Sequence, residues 1–180
     1  MATPPDFTTG AVLTAAQMNA IGLWEVTTLT ITNATSGFTD TAFTSDYKNY
    51  RIVGTFSSTT AINLAMTLRN SGGDVTLTNY KYMDALVTYG VTSWTVAGNT
   101  TAANFPTLAR TNDNGAESGF VCDVLGPATA TRTNVQAGAT DQVLYRTMNG
   151  IYNADTAMVG FKLSATTAFT GTFRVYGYRN

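Results

Sequence analysis

The chain has no histidine and a single cysteine, Cys122, among 180 residues. Without histidine, Ser-His-Asp and Cys-His nucleophilic catalysis are excluded, as are the common zinc sites. One cysteine makes no intrachain disulfide. With no imidazole to activate it, Cys122 reads as a buried thiol in a strand. Charge is scarce as well. Asp, Glu, Lys and Arg make up 12% of the chain and leave a net charge of −1, where soluble domains usually carry ~25% charged residues. Duplex nucleic acid selects clustered Lys and Arg and is not an expected partner. No stretch approaches the ~20 apolar residues of a membrane-spanning helix. The opening Met1-Ala2-Thr3-Pro4-Pro5-Asp6 has neither the basic start nor the apolar run of a signal peptide. The expectation is synthesis in the cytoplasm, without export or membrane insertion. Neither a P-loop nor a dinucleotide-binding glycine pattern occurs, and no cofactor is expected.

What the chain has in quantity is threonine, at about a fifth of all positions. Threonine is β-branched, polar and uncharged, which suits strands with one wet face. A surface of Thr, Ser, Asn and Gly with so little net charge resists association weakly, so an obligate assembly is expected over a free monomer. From Trp24 onward the apolar residues recur with period two. Glu25 to Thr32 alternates around Leu29 and Ile31, and Asn33 to Tyr47 reads as a loop anchored by Phe38 and Phe43. Tyr50 to Phe56 is a second strand. The clearest alternation puts Ile62, Leu64, Met66 and Leu68 inward, with Asn63, Thr67 and Arg69 outward. Thr92 to Val96 is strand-like and Ala97 to Asn104 a loop. Phe105 to Arg110 is expected to form a hairpin with Gly119 to Leu125 across Asn112-Asp113-Asn114-Gly115, because Asn-Gly is a strong hairpin signal. After a loose polar stretch, strands follow over Gln142 to Asn149, Ala157 to Leu163 and Gly171 to Tyr178. Short strands separated by turns predict an all-β domain over residues 24–180: an antiparallel β-sandwich, jelly-roll-like, of about eight strands.

Chemistry is sparse in this sequence. Asp46, Asp84, Asp113, Glu117, Asp123, Asp141 and Asp155 fall mainly in expected turns and strand ends, where solvated acids are the simplest reading. Their spacing pairs no two carboxylates of the kind glycoside hydrolysis needs. Asn112 to Glu117 concentrates oxygen ligands but departs from the EF-hand order, and a hairpin turn accounts for it. No catalytic residue and no metal ligand is therefore assigned. The aromatic cluster Tyr80, Tyr82, Tyr89 and Trp94 is the better candidate, because rings with polar tips suit a receptor or a subunit contact. The alternative is that these rings fill the core.

One segment departs from the β pattern. Thr14 is placed to cap a short helix, with Gln17 at capping-box spacing and Met18 and Ile21 on one side. Gly22 then ends it. So short a helix is not stable alone in water. Either it docks on another protein, or it closes one end of its own domain. Residues 1–23 thus read as an extended Pro-Pro tail and a short helix ahead of the β-domain.

This opening, Phe7-Thr8-Thr9-Gly10-Ala11-Val12-Leu13-Thr14-Ala15-Ala16-Gln17-Met18-Asn19, resembles the start of many small structural proteins of bacteriophage tails and virions. Tyr47-Lys48-Asn49-Tyr50-Arg51-Ile52 resembles the second strand of such domains. Phe169 to Gly177 resembles their closing strand, which often ends on Tyr-Gly. The matches cover the two ends and one internal strand. The resemblance implies a non-enzymatic virion component, a homotrimeric tail fibre or tail appendage that contributes to host-surface attachment. Its first residues would be the virion anchor, with Phe7, Val12, Leu13, Met18 and Ile21 as contacts to other virion proteins. The β-domain would project toward a host glycan or protein. A capsid decoration or head-fibre protein is the alternative of the same kind.

Overall fold

A computed structural model of the chain describes residues 23–111 and 115–178. The short helix and the anchor candidates Phe7, Val12, Leu13, Met18 and Ile21 lie outside the described residues, as does the Asn112-Asp113-Asn114 part of the turn. The described chain is all-β and antiparallel. Its eleven strands are β1 (Trp24–Thr39), β2 (Asn49–Ser57), β3 (Ile62–Asn70), β4 (Gly73–Asp74), β5 (Tyr80–Thr88), β6 (Thr95–Ala102), β7 (Phe105–Thr111), β8 (Ser118–Leu125), β9 (Thr133–Thr140), β10 (Leu144–Tyr152) and β11 (Gly160–Tyr178). They join into one sheet in the order β4-β3-β11-β2-β8-β9-β10-β5-β6, with β1 on the other edge of β11 and β7 on β3.

The sheet curls because its longest ribbon serves two layers. The late half of β11, Thr170 to Tyr178, pairs with β2, while Gly160 to Ser164 pairs with β3. β1 follows β11 along both halves, with register shifts between Ile31 and Ser36 where the ribbon bends. Strands that pass from one layer to another at a bulge make this kind of corner. At the bend Asn33 has φ 45°, a left-handed conformation that Asn tolerates better than most residues, and its N–H donates to Thr170 Oγ1. What the sequence presents as the end of a strand at Thr32 is therefore a bulge within a longer one. Phe43 is buried as expected, but Phe38 is 57% exposed with the Arg69 guanidinium 4.2 Å from its ring centroid.

The curl lays β7 across the inner face of β8, β9 and β10. The Asn-Gly hairpin is thereby corrected. β7 pairs with β3, and β8 with β2 and β9. Phe105, Leu108 and Ala109 gain more by covering the core than by extending the sheet beside β8. The turn carries the chain between layers, and Gly115 N–H donates to the Ser58 carbonyl, 3.1 Å, to hold it there. β7 comes so close to β10 that a Cβ on Gly150 would lie 2.5 Å from the Phe105 ring, so only glycine fits at that position.

The core is aromatic and aliphatic. Ile62, Leu64, Met66 and Leu68 face inward as their alternation predicts, against Ile52, Phe120, Val124, Phe161 and Phe173. Cys122 is buried in β8, and burial pushes its thiol pKa up, away from thiolate chemistry.

Candidate functional site

Eight strands share one broad layer, and their side chains alternate between the core and an outer face that no other described element covers. Register fixes both faces. One outward row runs Thr28, Arg174, Val53, Val121, Gly138, Thr147, Ala85 and Val96, from β1 to β6. The inward row beside it carries Val175, Ile52, Cys122, Ala137, Met148 and Asp84. Ordinary strand alternation produces both from sequences such as Thr133-Asn134-Val135-Gln136-Ala137-Gly138-Ala139-Thr140, whose odd-numbered positions are buried.

The structure divides the aromatic cluster. Tyr80 is fully buried. Its hydroxyl donates to the Val75 carbonyl at 2.7 Å and accepts the Leu68 N–H at 3.0 Å. Its ring meets Phe105 and Tyr152 edge-on, each at 4.9 Å. Burial raises its phenol pKa, and the residue is a strut between layers. Tyr82 is half-buried and packs on the edge of the core. Tyr89 and Trp94 are exposed in and beside the loop between β5 and β6, and Tyr89 N–H donates to the Val143 carbonyl at 2.8 Å. Trp94 meets a ring that sequence reasoning missed, Tyr145 of β10, edge to face at 6.1 Å. The sign that was available is the alternation of Leu144, Arg146 and Met148 inward, which turns Tyr145 and Asn149 outward.

Two shallow grooves mark this outer face. One of about 450 Å³ lies over Gly119 and Gly138, bordered by Val53, Val121, Thr140 and Tyr145. The other, of about 410 Å³, runs between Asn134 and Gln136 of β9 and Asn149 and Ile151 of β10, with Lys81 and Asn99 at its margin. Gln136 stands directly opposite Asn149, and Asn134 opposite Ile151. The nearest carboxylate, Asp123, is held by Arg51 in a two-pronged pair at 2.8 and 2.6 Å.

The acids are not all solvated turn residues. Asp84 is buried mid-strand and takes Arg146 Nη2 at 2.8 Å. Arg146 Nη1 reaches Asn63 Oδ1 of β3 at 3.2 Å, and burial lowers the guanidinium pKa despite the carboxylate beside it. Asp141 caps a turn by accepting the N–H groups of Val143 and Leu144. Among the described residues, no three histidine, cysteine or acidic side chains converge as a metal site would require.

No protein-family model matches this chain, and no curated protein matches it.

Proposed function

We propose that this chain is a structural protein of a bacteriophage virion, a homotrimeric tail-fibre or tail-appendage component that contributes to host attachment without catalysing a reaction. In this reading the curled sheet is a jelly-roll-like body. Residues 1–23 fasten it to the particle, and the broad outer face is what the particle displays. The observation that carries the proposal is that face. Among the described residues eight strands present it uncovered, with Thr, Gly, Val, Asn and Gln prominent, charge supplied by Arg174, Lys81 and the Arg51–Asp123 pair, and the exposed rings of Tyr145 and Trp94 toward its β6 side. A large surface of low charge suits repeated weak contact with a cell envelope, and three copies on one trimer multiply such contacts through high effective concentration. The resemblance of Phe7 to Asn19, of Tyr47 to Ile52 and of Phe169 to Gly177 to virion proteins supports the same reading.

The test is where the chain sits and what its loss does. Labelled antibody against the β-domain is expected to decorate the tails of purified particles, and particles lacking the chain are expected to adsorb to cells more slowly. Decoration of heads with unchanged adsorption would replace this reading with a capsid decoration protein. Absence from particles would end both.

A further inference from the structure

The exposed rings and the amide groove lie on one strip, and together they define a ligand chemistry. Along β9 the outward residues are Thr140, Gly138, Gln136 and Asn134. Beside them on β10 stand Tyr145, Thr147, Asn149 and Ile151. At ~3.3 Å per residue the strip extends about 20 Å. Tyr145 leans toward Gly138, where an added Cβ would lie 3.8 Å from the tyrosine hydroxyl, and Trp94 abuts Tyr145. The strip therefore begins as a ring platform, passes a trough of small residues and ends among amides. We propose that it binds a neutral, polyhydroxylated glycan lying along β9 and β10. The inference rests on the host-attachment reading and names the ligand class of its display face.

Three observations favour a glycan. First, the side chains of Asn134, Gln136 and Asn149 make no hydrogen bond to another described residue, while each amide offers both donors and acceptors. Hydroxyl-rich ligands need both. Second, Asn is disfavoured in strands, yet Asn134 and Asn149 occupy solvent-facing positions on adjacent strands and line the same groove. Third, the outward side chains of β9 and β10 are uncharged, the flanking Asp123 opposite Gln136 is neutralised by Arg51 and only Lys81 brings charge to the groove's margin, and the groove has no deep apolar pocket for the anchor residue of a protein partner. Ile151, half-buried opposite Asn134, and the rings of Trp94 and Tyr145 supply flat apolar area for the C–H faces of sugars.

The experiment uses the full chain and a panel of soluble gluco-, galacto-, manno- and N-acetylglucosamine oligosaccharides, titrated while the side-chain amide and indole signals are followed by NMR. At least one oligosaccharide is expected to move the amide signals of Asn134, Gln136 and Asn149 and the indole signal of Trp94. The double variant Q136A/N149A should weaken that binding by roughly tenfold or more, as losing two hydrogen bonds implies, with an unchanged melting curve. Failure of every oligosaccharide to bind at millimolar concentration would overturn the proposal. So would binding that Q136A/N149A leaves undiminished, or shifts at these amides caused only by host envelope protein. The outcome is separable from the virion test. A chain that binds through these amides but is absent from particles would sink the attachment reading alone, and a chain that speeds adsorption without them would sink this one alone.

Discussion

Asp84 and Arg146 show what a buried charge costs and what it does. Both side chains are less than a tenth exposed, and Arg146 Nε has no partner within the described chain. Such a pair repays its desolvation only with good geometry. Here the second guanidinium nitrogen also ties β10 to Asn63 of β3, so the pair fixes how the covering layer sits over the broad one. Asp84→Ala leaves an uncompensated buried cation and should cost about 3–5 kcal/mol in urea unfolding, whereas replacing both partners with Leu and Met should restore most of it. A loss below about 1 kcal/mol for the single variant would mean that water reaches Arg146, as it does at exposed pairs. Nothing near Asp84 in the sequence separates it from the solvated acids. Its partner is sixty-two positions away, and the buried side of β5 emerges only when β10 and β6 flank it.

Among the elements, the β3–β4 turn is held by charge. Asp74 takes Lys162 of β11 at 2.8 Å and also pairs with Arg69, which bonds Asp40 beyond the end of β1 at 2.6 Å. Burial pushes the Asp74 carboxyl up, but Lys162 and Arg69 outweigh it and hold it below the usual carboxylate range. A carboxyl depressed in the folded state contributes stability that is present above its unfolded pKa and lost as pH falls through its folded one. Melting temperature should therefore fall as pH drops below about 4, and Asp74→Asn should have a shallower fall over that range. Equal slopes in the two proteins would remove Asp74 from the network. The elements best read from sequence are those with strong apolar alternation, such as Ile62 to Leu68. β9 escaped because its inward positions are Thr133, Val135, Ala137 and Ala139, small enough for β7 to lie on them and too weakly apolar to stand out. β6 escaped because Thr95 to Thr101 is entirely exposed, and its strand character comes from pairing with β5 alone. The site was half legible for the same reason: Trp94 was visible as a ring, while the amides beside it became a groove only through the register of β9 and β10.

For the molecule as a whole, the body and the segment before it carry separate parts of the proposed function, and they can be separated by experiment. Every strand except β4 and β6 contributes buried apolar side chains to one continuous core, so the body has the means to fold on its own. Leu13, Met18 and Ile21 are apolar residues of the opening segment, whose expected helix would be too short to be stable alone, and in the virion reading they meet another protein. Replacing all three with serine should leave the melting temperature and the solution mass of the assembly unchanged, because neither depends on those contacts. The same variant should disappear from purified particles, measured by mass spectrometry of virions, and adsorption should drop to the level of particles lacking the chain. Glycan binding along β9 should persist in the purified variant, since the strip belongs to the body. If the variant melted early while still entering particles, the segment would be an internal cap on its own domain, and the particle contact would have to be sought on the outer face or the free edge of β6. If the assembly fell apart, the same three side chains would be holding copies of the chain to one another, and the attachment to the virion would be a property of the trimer formed.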